Sequence, residues 1–208
     1  MNSDIVTFGE IMLRLSPSNF KRFSQCNSFN VIFGGAEANV AASLSNFGLN
    51  ANFVTKIPNN DIGDACIQFL KMHDINTEFI SRGGERLGIY FLEKGTTVRG
   101  SKVIYDRSHS SISTAKLEDF NWDKIFEKAQ WFHWTGITPA LSQNVADITL
   151  QALKAAKNHN LTVSCDLNYR SKLWNYGKNS SEVMEELVKY CDLIVGNEED
   201  FDKVFGIS

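Results

Sequence analysis

The 208-residue sequence predicts an α/β fold, a mostly parallel sheet flanked by helices with a small β-sheet standing off the main body. Three observations carry this expectation. Short apolar or β-branched runs alternate with segments of helical period along most of the chain, the pattern of βα units. The first run, DIVTFGE at 4–10, is almost uninterrupted in its apolar character, as in a strand buried on both faces. Between 85 and 112 the helical period disappears and two strand-like runs take its place.

Taken in order, DIVTFGE ends on glycine and is followed by IMLRLS at 11–16, where Ile11, Leu13 and Leu15 alternate with Met12, Arg14 and Ser16. Such alternation predicts a strand with one wet face. In 34–48, GGAEANVAASLSNFG, the residues Ala36, Val40, Ser43, Leu44 and Phe47 recur at helical spacing and Gly48 supplies a stop. ANFVTKI at 51–57 reads as the next strand and DACIQFLKMH at 64–73 as the next helix. GIYFLE at 88–93 and SKVIYDRS at 101–108 form a hairpin across the polar KGTTVRG, joining IMLRLS in the small sheet. The alternation then resumes with WFHWTGI at 131–137, a helix over 142–158, LTVSCDLN at 161–168, a helix over 180–190, DLIVGN at 192–197 and a helix from Glu198.

The composition is that of an ordinary globular chain, 43% hydrophobic and 22% charged, and the net charge of -3 gives no reason to expect nucleic acid or an anionic membrane as a partner. Four scattered cysteines, without C-x-x-C, predict reduced thiols in a cytoplasmic protein. The opening residues carry Asp4 and Glu10 where a signal peptide needs cationic and longer apolar stretches. The histidines show no metal-binding spacing, so His133 is expected to be structural, and Trp131 and Trp134 to serve packing.

In parallel sheets ligands gather at the carboxyl ends of strands, which points to Gly9 and Glu10, Gly136 and Ile137, 168–170 and 197–200. Gly34 and Gly35 allow backbone to approach a ligand closely, and Asn39 offers a donor and an acceptor to hydroxyls. The alternative is a glycine turn and a helix whose Asn caps a neighbouring loop. In IYDR, Tyr105 and Arg107 share a strand face that Tyr90 can join, suited to a polyol bearing an anion or to a solvent-facing cross-strand pair. Arg170 in DLNYR suits a carboxylate or phosphate, or a surface ion pair. NEED at 197–200 places acids at a helix N-terminus, which fits capping or the organisation of Mg²⁺.

GGAEANVAASLSNFG resembles the first signature of the ribokinase-like (PfkB) carbohydrate kinases, and the likeness runs along the chain through GEIMLRLSP, PNNDIGDA, KVIYDRSHSSIS, WFHWTGITPAL, VSCDLNYRSKLW and NEEDFDKVFGIS. Pro58 stands where many members have glycine. The resemblance implies a ribokinase-like fold with β-sheet lid segments at about 11–33 and 85–112. It also implies ATP- and Mg²⁺-dependent phosphorylation of a sugar, here the sugar acid 2-keto-3-deoxygluconate, with fructose or ribose as alternatives and a sugar-binding module without catalysis as the rival from another class. By the same resemblance Gly34, Gly35, Ala36, Glu37, Ala38 and Asn39 line the sugar, Tyr90, Tyr105 and Arg107 close over it, and Ile137 and Arg170 complete the pocket. Asn168, Arg170 and Asn197 approach the nucleotide, while Glu198 and Asp200 act indirectly on the metal in place of the family's N-x-x-E. The lid implies a homo-oligomer. No G-A-G-D occurs in the sequence, so the catalytic base and most of the ATP-binding part are expected beyond Ser208.

Overall fold

The computed structural model describes residues 4–207. Strand β1 (Asp4–Phe8) is the middle of a five-stranded sheet whose other members are β4 (Asn50–Val54), β9 (Ala129–Thr135), β10 (Thr162–Asp166) and β11 (Leu193–Val195). The order is β11-β10-β9-β1-β4 and every pairing is parallel. Parallel neighbours need crossovers. Helices α1 (Ala36–Asn46), α2 (Asp61–Met72), α3 (Trp122–Phe126), α4 (Gln143–Asn158) and α5 (Ser180–Leu187) lie between strands along the chain, and α6 (Glu198–Phe205) follows β11.

Two apolar clusters follow from this layering. One joins Val6, Phe8, Phe132, Trp134, Val163 and Cys165 of the sheet to Val145, Ile148, Ala152 and Leu153 of α4. The other joins Ala51 and Phe53 to Ala38 and Ala41 of α1 and to Cys66 and Leu70 of α2. Trp134 is wholly buried in the first cluster, whereas Trp131, expected to pack, is 36% exposed on the opposite sheet face. His133 is half-buried, with Nδ1 2.9 Å from the hydroxyl of Ser164.

The second sheet has the order β3-β2-β7-β8, formed by β2 (Met12–Ser16), β3 (Asn30–Gly34), β7 (Gly88–Glu93) and β8 (Lys102–Asp106). The expected hairpin is β7 with β8, and β2 lies parallel to β7 and antiparallel to β3. Three details depart from expectation. The run 51–57 divides, because Thr55 leaves the main sheet and β5 (Lys56–Ile57) pairs instead with β6 (Ser81–Arg82). Helix α2 begins three residues earlier than expected, capped by Asn60, whose side chain accepts from the Gly63 amide at 3.1 Å. The expected wet face of β2 is largely covered: Met12 and Ser16 are buried and Arg14 partly so. Among the described residues no helix is long and apolar enough to cross a membrane.

Candidate active site

A parallel sheet brings all its carboxyl ends to one edge. Only residues 9–11 separate β1 from β2, so the second sheet stands over that edge. The junction is built around two buried carboxylates.

Glu10, just past β1, is 3% exposed. Its Oε2 accepts from Nη2 of Arg107 and its Oε1 from the Ser110 hydroxyl at 2.7 Å. Arg107 leaves the end of β8, and its guanidinium lies over the ring of Tyr105, 5.6 Å from the centroid. Tyr105 is paired across the strands with Tyr90, their centroids 5.9 Å apart. A Cβ on Gly34 would lie 3.6 Å from the Tyr90 hydroxyl, and one on Gly35 would overlap the carbonyl oxygen of Glu10. Glycine at 35 thus answers to a close backbone approach. The structure gathers Gly34, Gly35, Tyr90, Tyr105 and Arg107 into one cluster.

Glu37, in the first turn of α1, is 1% exposed and points into the body. Its Oε1 accepts from the hydroxyls of Thr135 at 2.7 Å and Thr138 at 2.6 Å. Burial pushes its carboxyl above the ordinary carboxylate range, and the two threonine bonds only partly oppose this. A Cβ on Gly9 would overlap that carboxyl group. Ala38 is buried beside Glu37, Ala36 is half-buried and Asn39 is exposed on the same helix.

A second cluster forms where β10 and β11 end. Asn168 takes the left-handed conformation, φ 38°, and its amide donates to Asp166 at 3.2 Å. The Asp166 carboxyl is raised by burial and by nearby Asp200, against the Asn168 amide and the Arg170 charge. Asp200 is buried, with Oδ1 accepting from the Tyr169 amide at 3.0 Å and Oδ2 from the Asn197 amide at 3.3 Å. The Asn197 side chain in turn accepts at Oδ1 from the Asp200 amide at 2.8 Å, a reciprocal cap on α6. Both oxygens of Asp200 are therefore occupied by backbone, which leaves the exposed Glu198 as the freer acid. Among the described residues no group of three or more His, Cys, Asp or Glu side chains could hold a metal ion. Arg170 is exposed and donates to the Tyr169 carbonyl at 2.7 Å. Ile137 is half-buried in the turn after β9. Among the described residues no hydrogen bond or ion pair links this cluster to the first.

Sequence reasoning assigned no role to Ser110, Thr135 or Thr138. The one local signal was the T-x-x-T of WTGIT at a strand end; Ser110 lies 100 residues from its partner.

The model of the pfkB family carbohydrate kinases matches residues 2–208. The crystal structure of 2-dehydro-3-deoxygluconokinase from Thermotoga maritima superposes with a TM-score of 0.96 at 53% identity, covering 100% of this chain and 63% of that one. A 2-dehydro-3-deoxygalactonokinase of Haloferax volcanii is 35% identical over 204 residues, 98% of this chain and 64% of that protein. A 2-dehydro-3-deoxygluconokinase of Bacillus subtilis is 31% identical over 175 residues, 84% of this chain and 54% of that protein. This chain thus spans less than two thirds of each of these relatives.

Proposed function

Because the chain belongs to the pfkB family of carbohydrate kinases, we propose that the protein transfers the γ-phosphoryl group of ATP to the terminal hydroxyl of 2-keto-3-deoxygluconate, giving the 6-phosphate, in the cytoplasm. The observation that carries this reading is the 53% identity, along the whole chain, to the Thermotoga maritima enzyme of that name. The likeness to the Haloferax volcanii enzyme favours a second substrate, the galactonate epimer.

In this reading Gly34, Gly35, Ala36, Glu37, Ala38 and Asn39 form the sugar floor. Tyr90, Tyr105 and Arg107 close over it from the lid, with Ile137 and Arg170 at the far side. The stacking of Arg107 on Tyr105 supports the arrangement, since it presents hydroxyls and a guanidinium together. Asn168, Arg170 and Asn197 lie toward the nucleotide. Mg²⁺ would come with the ATP phosphates, and the occupied oxygens of Asp200 fit only an indirect part for it, with Glu198 acting through water. Phosphoryl transfer needs positioning, charge neutralisation and a base for the hydroxyl proton. Glu10 and Glu37 are both engaged by buried partners, so this reading assigns the base, with most of the ATP site, to the part of the relatives' length that the chain does not span. The exposed Val31 and Ile104, which share one row on the face of the lid sheet opposite Tyr90, support self-association through it.

The test is a coupled assay of ADP release with ATP, Mg²⁺ and either sugar acid, fructose or ribose. It is run on the whole protein and on the 208-residue polypeptide. The whole protein is expected to favour a sugar acid in kcat/KM by roughly tenfold or more, and the polypeptide to turn over far more slowly, since a general base alone supplies about 100-fold or more. Arg107→Ala should raise KM for the acid more than for fructose. A preference for fructose or ribose would refute the assignment, and comparable turnover by the polypeptide would refute the placement of the base.

A further inference from the structure

We propose that Arg14, in the middle of the lid sheet, contacts the carboxylate of the sugar acid and sets the preference for anionic over neutral acceptors. The proposal deepens the kinase reading above and rests on it.

Arg14 sits on β2 opposite Ile32 of β3 and Tyr90 of β7. Directly opposed residues project to the same face of a sheet, and Tyr90 is itself opposed to Tyr105. Arg14 therefore belongs to the row Ile32, Arg14, Tyr90, Tyr105. The adjacent row toward the main sheet is Gly34, Met12 and Gly88, the row over which the Tyr90 hydroxyl reaches Gly34. Arg14 thus shares the face that carries the aromatic pair.

Among the described residues, what sets Arg14 apart is the absence of an acid partner at a partly buried position: Arg82 pairs with Asp64 and Arg99 with Glu93, and Arg22 is exposed. Arg107 is ion-paired with the buried Glu10, although its Nε, like that of Arg99, has no hydrogen-bond partner. Arg86 leans on Asp106, which projects to the opposite face with Ile89. Arg170 is exposed and turned to a backbone carbonyl. Arg14 is partly buried, its Nε is fully shielded from solvent without a hydrogen-bond partner, and no acid pairs with it among the described residues. Buried donors are normally satisfied, and a guanidinium is matched in shape and charge by a carboxylate. Because Glu10 offsets Arg107, the uncompensated positive charge of this cluster rests on Arg14. A neutral sugar brings nothing to meet it; a sugar acid does. A phosphate ester offers the same charge, so the two anions are separated by experiment.

Whole protein carrying Arg14→Gln, Arg14→Lys or Arg14→Met is compared with wild type for KM and kcat on 2-keto-3-deoxygluconate, fructose and fructose 6-phosphate. Arg14→Met keeps the buried stem and serves where Arg14→Gln does not fold. Loss of a charge-assisted contact is expected to raise KM for the acid by roughly ten- to a hundredfold, with kcat changing less. The loss on fructose should be at least about tenfold smaller, and Arg14→Lys should recover part of the loss. Equal losses on acid and fructose, or no loss on either, overturn the proposal while leaving the kinase reading intact, provided wild type still prefers the acid. Wild-type preference for fructose overturns both. A penalty confined to fructose 6-phosphate assigns Arg14 to a phosphate and overturns the carboxylate.

Discussion

The ion pair at the junction of the two sheets makes a quantitative prediction. Glu10 and Arg107 have side chains only 2% and 11% exposed, so screening by water offers little relief when one partner is removed. Glu10→Gln leaves a buried guanidinium whose Nε already lacks a partner and weakens the acceptor of the Ser110 hydroxyl. Breaking one side of a buried pair costs roughly 3 to 5 kcal/mol, most of it from the stranded charge. Replacing both members by apolar residues of similar volume removes that charge, so Glu10→Met with Arg107→Met should cost about 2 kcal/mol less than the sum of the single losses. Urea unfolding of wild type, Glu10→Met, Arg107→Met and the double variant closes the cycle, with Glu10→Gln measured beside them, read at the midpoint with the denaturant slope checked for constancy. If Glu10→Gln costs less than about 1 kcal/mol, or if the two changes simply add, the pair is solvated and this account of the junction is wrong.

Two further changes probe the same architecture. Gly35→Ala forces a methyl group against the Glu10 carbonyl, which should cost roughly 2 to 3 kcal/mol in urea unfolding and raise KM for the sugar; unchanged stability and KM would show that the two segments part freely. Burial holds the His133 imidazole down at about 4 from 6.5, so the folded protein refuses a proton that the unfolded chain accepts. The associated stability is fully present above the unfolded value and is lost as pH falls from 6.5 toward 4, on the order of 3 kcal/mol in all. His133→Gln should flatten the unfolding free energy across that window, and an undiminished slope would place the acid sensitivity elsewhere.

The sequence was most readable where local pattern and final environment agree. GIYFLE is β7 residue for residue, and the helical period over 142–158 is α4 with its Ser142 cap. Strand β3 was not identified as a strand, since NVIFG is a short run leading into glycines and becomes a strand by pairing with β2, a distant decision of the lid. The break between β4 and β5 was hidden in a continuous apolar run; it arises because the Thr55 carbonyl accepts from the Ser81 amide. At the junction, the glycines and aromatics that cluster there are legible from motif and spacing. Glu10 with Ser110, and Glu37 with Thr135, join residues 98 to 100 positions apart, distances at which spacing carries no signal. The covered face of β2 is hidden for a related reason: alternation marks a strand face as polar but does not say what covers it.

The two acids at the junction are also seated against each other's neighbourhoods. The space that admits the Glu37 carboxyl is the missing side chain of Gly9, next to Glu10, and the space that admits the Glu10 carbonyl is the missing side chain of Gly35, two residues before Glu37. Residues 9–10 and 35–37 are thus a single packing unit in spite of their separation along the chain. An engineer who rebuilds 34–39 must rebuild the end of the first strand with it, since any side chain at 9 or at 35 meets the other segment.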